Sequence, residues 1–267
     1  MSGPGWRLLA GASGLLAALV AVQACGDALS DDSPSDAPPA LPVPAVLLLP
    51  SPSVVGTVSV EEALARRRSV RAFDPRPLAI AQVGQLLWAA QGITDPQGRR
   101  TSPSAGALYP LEVYAITRDG VSRYVAAEHA LAPVRDGDLR PALEAAALDQ
   151  AAVGDAPLVI AIVGVPSRTA ARYGPERATR YVQLEAGHAA QNILLQAVAL
   201  ALGAVPVGAF DDTRVAAVLG LPPDQVPLYL VPVGFPAAGD EPSASPAGSG
   251  TPVGRSVGRP DSPTHPA

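Results

Sequence analysis

Four arginines, Arg66, Arg67, Arg68 and Arg71, crowd into six positions of the stretch RRRSVRAF, residues 66–73. Like charges at that density repel, so the segment is either a solvated helix end or a place where an anion sits. Ser69 adds a hydroxyl among the guanidinium groups, and Phe73-Asp74-Pro75 then turns the chain. Guanidinium forks with a hydroxyl suit a phosphate, which offers several acceptors and more than one negative charge. Charge pattern alone leaves both alternatives open.

Two further stretches have bare, approachable backbone. Arg100 is followed by TSPSAGALYP, residues 101–110, and GAVPVGAFDD covers 203–212. Each is either a tight turn or a loop that brings N–H groups close to something flat. Glu185-x-x-His188 places a carboxylate and an imidazole on one helical face, as metal ligands require. No second motif of that kind accompanies it, so a helix packed at an interface, with Gln191 and Asn192 as polar neighbours, is the favoured reading. His129 receives the same structural assignment. Trp88 and Tyr109 are candidates to stack on a ring, although a tryptophan at helical core spacing more often packs. There is no G-x-S-x-G, no G-x-G-x-x-G after a strand and no Ser-His-Asp set.

Composition removes other classes. The chain has 267 residues, 48% hydrophobic, with a formal net charge of −5, which argues against nucleic acid as a partner. All 19 basic residues are arginine. With no lysine there is no P-loop clamp and no Schiff base. Cys25 is the single cysteine, which excludes an internal disulfide and a thiolate metal cage.

The elements that must position these residues lie between 58 and 237. Residues 1–25 read as an export signal: Arg7, then an apolar run from Leu8 to Val22, ending Ala24-Cys25-Gly26. A small residue before a lone cysteine resembles a lipoprotein signal, with Cys25 as the lipidation candidate and a membrane anchor as the result. The alternative is an ordinary signal peptide or uncleaved anchor with an incidental cysteine, and a periplasmic or cell-envelope protein. Residues 26–57 read as a Pro/Ser/Ala-rich tether, interrupted by Leu47, Leu48 and Leu49, which are placed to dock on the domain. Residues 238–267 read as a disordered tail. Ser59 and Glu62 form a capping box opening a helix to about Arg67. Helical spacing runs from Leu78 to Gln91, stopped by Gly92. A hairpin is expected from Leu111–Thr117 and Val121–Ala127 around Arg118-Asp119-Gly120. Helices are expected over Asp138–Gln150, Arg177–Leu202 and Asp212–Leu219. Strands are expected at Leu158–Val163, near Val205–Phe210 and at Leu228–Val233. The mixture is an α+β domain.

Taken in order, RRSVRAF (67–73), LLWAAQGIT (86–94), SPSAGALYPLEVY (102–114), LEAGHAAQN (184–192), LGAVPVGAFDD (202–212) and PVGFP (232–236) resemble the nitroreductase superfamily. The match is nearest to its SagB-type branch of flavin-dependent dehydrogenases. The resemblance implies a mostly antiparallel central sheet flanked by helices. It also implies a homodimer holding FMN between its subunits. Carried over, Arg67, Arg68, Ser69 and Arg71 hold the phosphate and ribityl chain. Pro103, Ser104, Ala105 and Gly106 reach the flavin from the partner subunit. Pro206, Val207 and Gly208 lie against the ring, with the Gly208 N–H aimed at flavin N5 and Tyr181 as a catalytic candidate.

The implied activity is hydride transfer through N5 in two half-reactions, acting on an unidentified small-molecule or peptide substrate. NAD(P)H is one electron donor the family uses. The export signal favours an organic donor instead, with electrons returned to a quinone or oxygen. The rival is a membrane-tethered binding protein of the same fold without turnover. Two departures stand out. The family's basic residue after the last strand has no counterpart before Arg255. The Lys-Tyr pair of the peptide-heterocycle dehydrogenases is Arg180-Tyr181 here.

Overall fold

A computed structural model describes residues 46–238. The proposed signal, Cys25, most of the tether and the tail lie outside those residues. Eight strands form one sheet, in chain order β1 (Leu47–Leu48), β2 (Phe73–Asp74), β3 (Leu111–Thr117), β4 (Gly120–Val125), β5 (Ala130–Asp136), β6 (Leu158–Gly164), β7 (Gly203–Ala204) and β8 (Val226–Pro236). Spatial order is β1-β5-β4-β3-β6-β8-β2, with β7 also on β8, and every strand pair is antiparallel. The helices are α1 (Val60–Arg66), α2 (Ile80–Gln91), α3 (Arg140–Ala146), α4 (Ala151–Asp155), α5 (Pro166–Tyr173), α6 (Pro175–Ala199) and α7 (Asp212–Leu219). This is an α+β arrangement, an antiparallel sheet flanked by helices, as the resemblance implied.

The apolar run in β6 exists because both faces of the sheet are covered. Leu158, Ile160 and Ile162 pack with Leu86 and Leu87 of α2 and Ile193 of α6. Val159, Ala161 and Val163 point the other way, to Leu143, Val153, Val215 and Leu219. Period two along one strand therefore feeds two cores.

Several expectations change. The helix expected over 138–150 is two short helices, because Leu148 and Asp149 take left-handed φ values of 58°. β5 was not foreseen, since Pro133 and the charged end Arg135-Asp136 obscure its alternation. α5 is separate from α6 because Gly174, at φ 80°, breaks the chain before Pro175. The strand expected near 205–210 is only Gly203–Ala204 plus a single bridge from Val207 to Leu230. The capping box forms by half. Ser59 Oγ accepts the Glu62 N–H at 3.1 Å, but the Glu62 carboxylate is engaged by Arg66 at 2.7 Å.

Leu47–Leu48 pair with β5, and Leu49 is buried. His129 pins this crossing. Its Nδ1 accepts from the Tyr124 hydroxyl and its Nε2–H donates to Pro50 O, both at 2.9 Å. That tautomer satisfies both nitrogens, so the ring is a structural tie.

Candidate functional site

The arginine segment leaves the C-terminal end of α1 and lies along β7. Val70 N–H donates to Ala204 O at 3.1 Å, and Ser69 bridges Ala204 in parallel. Gly203 permits this approach, since a Cβ there would stand 2.6 Å from a Val70 methyl. The four arginines then divide. Arg66 is spent on Glu62. Arg68 Nη1 donates to Ala65 O and Arg67 O at 2.9 and 2.8 Å, closing the helix end. Arg67, half-buried, and Arg71, exposed, form no ion pair among the described residues, and the Ser69 hydroxyl is likewise unengaged. Two guanidiniums and a hydroxyl are thus available to an anion.

Pro206, Val207 and Gly208 run along the same outer edge of β8. Val207 and Leu230 exchange backbone hydrogen bonds at 2.7 and 2.9 Å. Gly208 is exposed, its N–H has no backbone acceptor among the described residues, and a Cβ there would meet only Tyr229, at 3.7 Å. Among the described residues nothing crowds a side chain at this position, and the room beside Gly208 opens to the surface. The structure brings the arginine segment and residues 206–208 together on one edge.

It does not bring Pro103–Gly106 there. Ala204 pairs with Val233, which lies opposite Leu158 at one end of β6. The loop enters β3 at Leu111, opposite Gly164 at the other end. Six strand steps, about 20 Å, separate the arginine segment's level from the loop's. Three, about 10 Å, separate the loop's level from that of Val207, which pairs with Leu230 opposite Ala161. β8 and β6 also lie between that edge and β3.

That loop is held in an unusual shape. Gly106, Ala107 and Tyr109 have φ values of 64°, 54° and 46°. Tyr109 N–H donates to Ser104 Oγ at 2.9 Å, and Arg168 Nη1 reaches Tyr109 O at 3.3 Å. The Arg100 guanidinium sits 4.7 Å over the Tyr109 ring. Asn192 ties the loop's start, donating to Ala89 O, Thr101 O and Ser102 Oγ. Behind the loop lies a buried polar set that sequence reasoning did not assemble. Arg100 Nη1 donates to Gln91 Oε1 at 2.9 Å, and Glu185 is 2% exposed. Burial pushes the Glu185 carboxyl up to about 7, against partial relief from the Ser104 hydroxyl, Arg100 and Gln91. Burial also lowers Arg100, opposed by Glu112 and Glu185. The legible signal was a carboxylate on the buried stripe of α6, between Val182 and Ala186.

Tyr181 stands one turn before Glu185. Its ring meets Tyr173 edge-to-face at 5.1 Å, and the Tyr173 hydroxyl lies beside Gly106. His188 is exposed, and no group of three metal-ligating side chains occurs among the described residues. Trp88 packs over Gly92 at the end of its own helix. With Thr101, Asn192 and Gln196 it lines a groove of about 750 Å³ between residues 51–60 and the α2/α6 face. At the end of the last strand, where a basic residue was missing, Arg76 from the β2 turn stacks 3.6 Å over Phe235. Arg255 lies outside the described residues.

Residues 64–235 match the model of the nitroreductase family. A nitroreductase-type protein of Methanocaldococcus jannaschii is 41% identical over 183 residues, covering 66% of this chain and 91% of that protein. A nitroreductase-type structure from Ralstonia eutropha is 31% identical, with a TM-score of 0.66 over 74% of this chain and 96% of the other. A chain of the E. coli microcin synthetase McbBCD complex is 25% identical, with a TM-score of 0.58 over 72% and 78%.

Proposed function

The chain belongs to the nitroreductase family of oxidoreductases, and from that premise we propose an FMN-dependent dehydrogenase of the SagB type working as a homodimer. The observation that carries the FMN reading is the unpaired Arg67/Ser69/Arg71 set on the same sheet edge as Gly208. The first can hold a phosphate, and the second offers a free N–H with no side chain in the way. Bound there, FMN would supply hydride acceptance and donation at N5, taking two electrons from an organic donor and passing them on.

The protein's part is to bind and orient. Arg67 and Arg71 neutralise the phosphate, and the Gly208 N–H favours charge on the ring atom it faces. A second copy is supported by the distance between the arginine edge and the 103–106 loop within one chain. Val54, Val55, Val60, Leu64 and Leu184 are exposed, as an uncovered subunit contact would be. The SPSAGALYP motif and the likeness to the microcin synthetase chain support the SagB-type branch. Arg180-Tyr181 in place of Lys-Tyr weighs against azoline oxidation, so a small organic substrate is preferred to a peptide. Export and lipidation at Cys25 belong to the same proposal, supported by residues 1–25 and checked by the mass of the mature N-terminus.

The test is spectroscopic. Purified protein should be yellow, with flavin absorbance bleached anaerobically by an organic donor or NAD(P)H. In Gly208→Val, the apo protein should melt within a few degrees of wild type, while FMN binds about tenfold more weakly or worse. A colourless protein that takes up no added FMN contradicts the proposal and favours a binding role without turnover.

A further inference from the structure

Two hydrogen-bond donors stand against the bare side of Gly106. A Cβ at that glycine would lie 2.8 Å from the Tyr173 hydroxyl and 3.0 Å from Arg172 Nη1. The two polar atoms are therefore close enough together to donate to one carboxylate. Neither has a hydrogen-bond or ion-pair partner among the described residues.

The last turns of α5 put them there. Arg168 and Arg172 are four residues apart on that helix and share a face. Arg168 is fixed to the loop: its Nη1 donates to Tyr109 O at 3.3 Å, and its Nη2 donates to the Glu112 carboxylate. One turn on, the same face brings Arg172 to Gly106. Arg123 also reaches Glu112, at 3.4 Å, so that carboxylate is shared by two guanidiniums while the charge of Arg172 has no counterpart. The Tyr173 ring lies beside it, with the guanidinium carbon 5.5 Å from the ring centre. Tyr181 meets that ring edge-to-face and sets its direction. Both tyrosines are half-buried and Arg172 is exposed, so the donors sit at the mouth of an aromatic wall.

We propose that Arg172 and Tyr173 bind the carboxylate of the substrate, which makes the substrate class a small organic acid. That the bound acid is the substrate rests on the function proposed above, in which residues 103–106 reach the partner's flavin; the carboxylate site itself does not. One guanidinium fork and one hydroxyl match a monoanion with two acceptor oxygens. A phosphate carries more charge, which the Arg67 and Arg71 pair suits better. The two rings give the body of the acid an apolar surface to lie on. Any side chain at position 106 would occupy the approach to both donors.

Phenylglyoxal labelling of the full chain, read by mass spectrometry at Arg172, tests the site with or without flavin. Benzoate should slow labelling of Arg172 at least about fivefold and saturably. Benzamide, the same ring without the charge, should leave it unchanged, as should inorganic phosphate at the same concentration. Arg118, exposed on the β3–β4 turn, is the control and should label at one rate throughout. Tyr173→Phe should weaken benzoate protection about threefold, since it removes one donor and keeps the ring. In the flavin-loaded protein, benzoate should perturb the flavin absorbance, and Arg172→Ala should weaken that titration at least about tenfold. Equal protection by benzoate and benzamide, or none by either, would overturn the site. Equal protection by phosphate would overturn the assignment to a carboxylate. Protection without any change in a bound flavin's spectrum would overturn the assignment to the substrate. If wild type takes up no FMN, the functional reading fails, while labelling of Arg172 still decides whether a carboxylate binds here.

Discussion

The R67A/R71A double variant should lose FMN affinity by about 10²–10⁴-fold and yet melt, as apo protein, within a few degrees of wild type. Each guanidinium–phosphate contact is a charge-assisted hydrogen bond worth about 1.5–3 kcal/mol, so the pair accounts for about 3–6 kcal/mol. The apo fold is expected to tolerate the change because neither side chain has an ion-pair partner among the described residues. Removing two neighbouring positive charges also relieves repulsion. Arg68 is the internal control. Its guanidinium caps carbonyls at the end of α1, so Arg68→Ala should cost helix stability more than flavin. Fluorescence-quenching titration with FMN and calorimetry of the apo protein read the two quantities separately. Lysine at both positions should rescue only in part, because an ammonium lacks the fork geometry.

Gly106→Val should abolish flavin retention by a different route, from the far end of the sheet. Gly106 has φ 64°, and a Cβ there would lie 2.8 Å from the Tyr173 hydroxyl and 3.0 Å from an Arg172 guanidinium nitrogen. A β-branched residue in that backbone region costs about 1–2 kcal/mol before any clash. Ala107 and Tyr109 already carry such strain, so the loop must rearrange. The buried sheet is not touched, and a fall in melting temperature of about 4–8 °C is expected. FMN affinity should drop about 10²-fold, although Gly106 is nowhere near the arginines of its own chain.

How much of this was legible depended on whether a residue's surroundings were local. β6 reads as a doubly covered strand because six consecutive apolar residues leave no polar face. The Leu111–Thr117 hairpin strand reads from its turn, where Gly120 takes φ 149°. α2 and α6 read from period. The break at Gly174 is visible as Gly-Pro, but the stronger helical pattern begins only after it, at Arg177. β1, β2 and β7, each two residues long, carry no periodic signal at all. They form because β5 and β8 offer edges, which is a tertiary fact. Likewise the arginine cluster could be seen in sequence, but its division could not. Only the course of the chain past α1 shows that Arg66 and Arg68 are spent locally while Arg67 and Arg71 are not. Glu185 is legible only as half of a Glu-x-x-His pair whose favoured reading is a packed helix. The spacing shows that the two share a helical face, but only the fold shows that Glu185 is buried while His188 is left in solvent.

Co-expressing the R67A/R71A chain with the G106V chain asks directly whether one flavin is held by two copies. Neither variant alone should retain FMN. In a heterodimer, one of the two sites would combine intact arginines from one chain with an intact loop from the other. Random pairing therefore predicts recovery of about a quarter of the wild-type flavin content. If heterodimers form and no flavin returns, each site is built within a single chain, and an intersubunit cofactor is ruled out.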